Sequence, residues 1–334
     1  MKLATYKDGS RDGQLVVVSR DLSLAHYASH IASRLQSVLD DWNYLSPELQ
    51  DLYDALNAGR ARHAFPFDPM QCMAPLPRAY QRVVAQAYPG AVARLRKQAL
   101  ADADSAPSQL LMVQCASDEL SGPCDPIVCA SEELGLDFDA GLAIVTSDLP
   151  MGCPSDRALE GVRLLMLTNG VVLRNAMSLE QDLGYGFVQS HPGAAFSPVA
   201  VTLDELGDAW GRGRVNLPLQ TSWNGRKVGL CDAGSDMAFH FGQLMAHLCK
   251  TRNVRAGSIV GTGAVSNKGV EKKARTDWPK GYHCIAEKRA METLQDGQPS
   301  TEFMKYGDTI RIEMKGPDGQ SVFGAIEQEV VPNS

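Results

Sequence analysis

A few residue types in this chain have spacing that invites chemistry. His191, in Ser190-His191-Pro192, is of the one side-chain type that ordinarily titrates near neutral pH, so it can give or take a proton; it can equally be a plain loop residue fixed by Pro192. Asp118 and Glu119 are adjacent loop acids, either of which can serve as a base or simply be solvated. Glu287, in Ile285-Ala286-Glu287-Lys288-Arg289, reads as an acid–base candidate or as a strand-end acid paired with Lys288 or Arg289. Arg174 can pair with Asp139 or grip a carboxylate. Cys115 is a nucleophile or a buried, inert thiol. Cys115, Cys124 and Cys129 are soft-metal ligand types, but spacings of nine and five match no standard zinc pattern. His240 and His247 are seven apart, too far along a helix to share one ion.

The whole chain sets limits on what such residues can serve. It has 334 residues, 44% hydrophobic and 21% charged, with a formal charge of −7. That is ordinary globular composition, with apolar mass for a sizeable core. A mildly acidic chain gains nothing from a phosphate backbone, so no nucleic acid is expected as partner. No basic amphipathic stretch points to a membrane surface, and the longest apolar runs are far too short for a bilayer. Met1 to Asp12 lacks the apolar core of a secretory signal, and the eight cysteines form no CxxC pair. The expectation is a cytoplasmic protein with reduced thiols.

Strands are predicted at Leu3 to Tyr6, Gln14 to Ser19, Leu110 to Val113, Leu142 to Thr146, Leu164 to Leu167, Ala200 to Val201, Val215 to Leu217, Ser258 to Val260, Thr309 to Met314 and Val322 to Ile326. Trp223-Asn224-Gly225 and Gly316-Pro317-Asp318-Gly319 carry hairpin signals. Helical spacing predicts helices over Leu24 to Leu39, from Pro47 through Leu56, over Gln81 to Leu100 with a break at Pro89-Gly90, and over Ser235 to Arg252. Ala101 to Ser108 is small, acidic and proline-containing, the best linker. The division is therefore 1–107, a small N-terminal domain, and 108–334, a larger and mostly β domain.

Several strings resemble bacterial fumarylacetoacetate hydrolases: His63 to Phe67 with Cys72 to Tyr80, Phe196-Ser197-Pro198-Val199-Ala200-Val201-Thr202, the block from Phe239 to Asn267, and Tyr306 to Met314. The similarity runs nearly end to end. It implies an α+β, mostly β fold: a small N-terminal β-barrel-like domain, a C-terminal mixed β-sandwich roll, and a homodimer. It also implies action on small dicarbonyl acids, with a hard divalent cation held by four carboxylates to stabilise the enolate.

On that resemblance the four acid positions fall here on Gln109, Asp139, Gly141 and Gly170. Carboxylate count tunes hard-ion affinity, so no metal and no cofactor is expected. The resemblance gives Glu287 as the acid that activates water, retained; His191 in place of a substrate-binding lysine; and Gly263-Ala264 in place of a Gly-Thr, with Thr262 the candidate replacement hydroxyl. The loop that carries a histidine in animal relatives reads Cys115-Ala116-Ser117-Asp118-Glu119. The expected catalytic set is Glu287, His191 and Asp118. Arg174, Ser117, Thr262, Gln109, Asp139 and Cys115 are the expected binders of a small-molecule substrate. The reading placed first is a repurposed enzyme that works by proton transfer without metal on a small oxo-acid. A non-catalytic scaffold comes second and an ordinary metal-dependent hydrolase third.

Overall fold

The strand Ala140–Thr146 is buried along its whole length. Leu142 and Ile144 enter one core, Ala143 and Val145 another, so the strand needs cover on both faces. One cover is the helical pair Leu35–Asp40 and Trp42–Asn57, through Leu35, Val38, Leu49 and Tyr53. The other includes the helix Phe241–Leu248 and, from a second sheet, Ile312 and Phe323. The computed structural model describes residues 1–88, 91, 110–184, 186–268, 270–272, 275–277 and 281–333.

Among the described residues the central sheet has 11 strands. Its order is Phe65–Pro66, Leu24–Tyr27, Gln14–Val18, Lys2–Tyr6, Ala200–Val201, Val162–Asn169, Ala140–Thr146, Ile259–Gly261, Arg82–Ala85 and Met112–Cys115, with Ala195–Phe196 also on Val162–Asn169. Only Ile259–Gly261 against Arg82–Ala85 is parallel. The second sheet orders Arg226–Asp232, Pro218–Trp223, Thr309–Lys315, Ser321–Pro332 and Ile127–Cys129. The fold is α+β and mostly β. The N-terminal strands form no closed barrel among the described residues. The edge of Lys2–Tyr6 pairs with Ala200–Val201 (Lys2 opposite Val201), which opens them into the large sheet.

The hairpin signals hold: Asn224 and Gly225 have φ of 49° and 70°, as an Asn-Gly turn between tightly paired strands requires. The helix expected over Leu24 to Leu39 is corrected. Leu24–Tyr27 is a strand on Gln14–Val18, whose free edge outbids helical spacing, and only Leu35–Asp40 is helical. The next helix begins at Trp42, with Pro47 inside it. Arg82–Ala85, placed in a helix by spacing, is a strand between Ile259–Gly261 and Met112–Cys115. The helix expected from Ser235 to Arg252 runs only over Phe241–Leu248. Asp232 Oδ1 accepts the amides of Gly234 and Ser235 and turns the chain before it. Helices Arg174–Leu183 and Ile285–Asp296 have no counterpart in the sequence reading. The linker Ala101 to Ser108 lies outside the described residues. No described helix is long and apolar enough to cross a membrane, and all eight cysteines are free thiols.

Candidate active site

The site is assembled around Asp137. The short strands Leu136–Asp137 and Val172–Leu173 pair with Asp137 opposite Val172, which carries Arg174 alongside. Arg174 Nε donates to Asp137 Oδ2 at 2.8 Å. The amides of Ile285 and Ala286 donate to the same carboxyl at 2.6 and 3.0 Å. Asp137 thus satisfies two of the orphan N–H groups at the start of helix Ile285–Asp296 and lies at the positive end of its dipole. Burial pushes the Asp137 carboxyl up; Arg174 and the two amides oppose it. Burial likewise opposes the charge of Arg174, but Asp137 outweighs it and the guanidinium pKa is raised. The cap fixes the first turn and so fixes Glu287, which is buried and accepts a 2.7 Å bond from Ser266 Oγ.

Asp139 stands two residues on. Its amide donates to Asn169 Oδ1 at 3.2 Å and its carbonyl accepts from the Gly170 amide at 2.8 Å. Its side chain is 17% exposed and lies 4.0 Å from Arg174 Nη2. Burial pushes the carboxyl up to about 7; Arg174 and Arg82 pull it down, and the charges of Asp137 and Glu287 add to the rise.

His191 is buried, with Nδ1 at 3.0 Å from Ser190 Oγ. That hydroxyl has one proton, which it donates to Glu180. Glu180 also accepts the amides of Val188, Gln189 and Ser190. These bonds outweigh its burial and hold its carboxyl below the usual range. The Ser190 hydroxyl therefore accepts from His191 Nδ1–H, which leaves Nε2 as the unprotonated nitrogen. Burial, Arg174 and Arg82 lower the imidazole to about 4. Near-neutral titration, read from the residue type, is not what this environment gives: His191 is a neutral imidazole with a fixed tautomer.

Arg82 and Cys115 are cross-strand partners. Burial pushes the Cys115 thiol up, with Arg82 opposing, so Cys115 is a buried thiol and not an activated one. The sequence reading missed Arg82 by placing it in a helix. It also missed Asp137, although a carboxylate two residues before Asp139 was visible.

The other expected residues lie apart from this group. Asp118 is exposed and lines a surface depression of about 430 Å³ with Asp12, Arg34 and Arg78. Ser117 is half-buried, and its carbonyl accepts the Ala79 amide. The Thr262 hydroxyl is used on backbone: it donates to the Gly263 carbonyl and accepts the Leu142 amide. Gln109 lies outside the described residues.

The fit to a hard dication can be tested position by position. A Cβ at Gly141 would meet the Gly263 carbonyl oxygen at 2.4 Å and Thr262 Oγ1 at 3.0 Å, so backbone fills the space an acid would need. At Gly170 the nearest atom is 3.7 Å away: the space exists and the carboxylate does not. Asp139 is left with two guanidinium groups in its electrostatic surroundings. Among the described residues no three His, Cys, Asp or Glu side chains converge on a metal position, Cys115, Cys124 and Cys129 included. These residues do not fit the ion.

Residues 1–78 match the model of fumarylacetoacetase N-terminal domain 2, and residues 82–331 that of the fumarylacetoacetate (FAA) hydrolase C-terminal domain. No curated protein matches in sequence. Solved structures match over all of both chains. They include a fumarylacetoacetate hydrolase from psychrophilic Exiguobacterium antarcticum (17% identity, TM-score 0.66) and a 5-carboxymethyl-2-hydroxymuconate delta-isomerase from Mycobacterium smegmatis (14%, 0.60). A maleylpyruvate hydrolase from Sphingobium sp. SYK-6, in complex with manganese (II) and pyruvate, is similar at 16% and 0.64. Identities this low establish likeness of fold.

Proposed function

The chain belongs to the fumarylacetoacetate hydrolase family, and from that premise we propose an enzyme that moves protons on a small oxo-acid without the family's divalent cation. Relatives of this fold are hydrolases and isomerases of such acids, which supports the substrate class. The observation that carries the metal-free part is the Gly263 carbonyl oxygen 2.4 Å from where a Cβ at position 141 would sit. A carboxylate ligand has no room there.

The chemistry common to the family's substrates is formation of an enolate beside a carbonyl, whose negative charge must be met by fixed positive charge. Arg174 and Arg82 supply it here. Asp139 is the partly exposed carboxyl beside them and takes or returns the proton. Glu287, held by the helix turn and by Ser266, positions water or substrate near Asp139. His191 offers Nε2 as a hydrogen-bond acceptor. Tautomerisation, decarboxylation, carbon–carbon cleavage and condensation all pass through this enolate. The neighbours' activities and the homodimer implied by the family complete the proposal. Helix Arg174–Leu183 has no buried residue and presents Leu179 and Leu183 to the surface, which supports a covering subunit.

The test is turnover of a panel of 2-oxo acids and acylpyruvates by full-length protein in EDTA. Activity persists in EDTA and falls about 100-fold or more in Asp139→Asn and in Glu287→Gln. Activity that appears only with added Mg²⁺ or Mn²⁺ restores the metal-dependent hydrolase. No turnover of any acid leaves a binding protein.

A further inference from the structure

A guanidinium taken out of water is expensive unless its N–H groups find acceptors. Arg82 breaks that rule. The residue is 2% exposed, on the strand next to the edge of the central sheet. Among the described residues Nε and Nη1 have no hydrogen-bond partner, and Nη2 reaches only the Pro192 carbonyl at 3.3 Å. The Cys115 thiol opposite is a poor acceptor. Among the described residues the nearby carboxylates Asp137 and Asp139 make their ion pairs with Arg174, and Arg82 makes none. An apolar residue at this strand position would pack without the penalty, so the charge has no folding rationale.

We propose that Arg82 is the anion receptor of this pocket: its unpaired N–H groups take the carboxylate of a small oxo-acid, beside Asp139 and His191. The inference deepens the function proposed above by assigning the group that holds the substrate's charge, yet it concerns binding alone. A planar guanidinium suits a planar carboxylate, and the buried setting makes each charged hydrogen bond stronger than at the surface. His191 strengthens the case geometrically. Its loop supplies the Pro192 carbonyl that orients Nη2, so the side chain is held while its other two nitrogens remain open.

The experiment is calorimetric titration of oxalate into full-length protein dialysed against EDTA, with Arg82→Met and Arg82→Lys alongside. Wild type binds, more weakly as salt rises. Arg82→Met loses at least about tenfold in affinity, the size of one charged hydrogen bond. Arg82→Lys falls between, because an ammonium keeps the charge and loses the fork. In the absence of oxalate Arg82→Met melts no lower than wild type, since an unpaired buried charge has been removed; a purely structural arginine would give a lower melting point. Wild type that ignores oxalate overturns the proposal, as does an Arg82→Met or Arg82→Lys protein that binds like wild type. Oxalate binding through Arg82 without turnover of any oxo-acid would sustain this site and defeat the enzymatic reading, so the two fail separately.

Discussion

Gly141 and Gly170, the two glycines where the family resemblance implies acids, differ in what surrounds them. A methyl group at 141 collides with the Gly263 carbonyl at 2.4 Å, whereas at 170 nothing is nearer than 3.7 Å. Gly141→Ala should therefore lower stability by about 1–3 kcal/mol, as overpacking does, and Gly170→Ala should leave it within about 1 kcal/mol. Urea midpoints of the two variants check this; equal values would mean that the 262–264 loop yields freely. Asp139, Arg174 and Glu287 were legible in the sequence because family strings flank them on both sides. Arg82 was not, since Val83, Val84 and their neighbours suit helical spacing as well as alternation, and only the pairing with Ile259–Gly261 decides between them. The weak titration of His191 was illegible too. It follows from burial and from two guanidinium groups that the fold brings beside it.

Helix Ile285–Asp296 begins where it does because Asp137, 148 residues earlier, accepts its first amides. Local sequence contains no such cap, which is why residues around Glu287 read as a strand end. Helix Arg174–Leu183 escaped notice for a different reason: with no buried residue it has no apolar stripe to find. Strands were easier, since alternation and an Asn-Gly turn are local signals. Asp137→Ala removes the cap and leaves Arg174 with Asp139 alone; a loss of about 3–5 kcal/mol in urea unfolding is expected. His283, just ahead of the same helix, is fully buried with Nδ1 on Thr221 Oγ1 at 2.7 Å, and burial lowers it from 6.5 to about 3. The folded state then binds fewer protons than the unfolded one. Stability is full above about pH 6.5 and drains as pH falls toward 3, with His191 adding to the upper part of that window. Urea midpoints between pH 7 and 4 should fall in wild type and fall less in His283→Gln; parallel curves would remove His283 from the account.

At the scale of the molecule, one sheet joins the N-terminal strands to the strands that carry Arg82, Cys115 and the residues around Asp139. The mostly β architecture was readable from many short apolar runs and turn residues. The open N-terminal sheet was not, because its continuation into the large sheet depends on Ala200–Val201, two residues far along the chain. Sedimentation equilibrium should give twice the chain mass of 36.1 kDa; a monomer at working concentration would count against the covering role of a second subunit at Leu179 and Leu183. On the proposed reading this pocket does not hold a hard dication. Calorimetric titration of Mg²⁺ and Mn²⁺ into EDTA-stripped protein tests it directly. The expected result is no saturable binding tighter than about 10⁻³ M, unchanged in Asp139→Asn. One ion per chain, bound tightly by wild type and lost in Asp139→Asn, would contradict it.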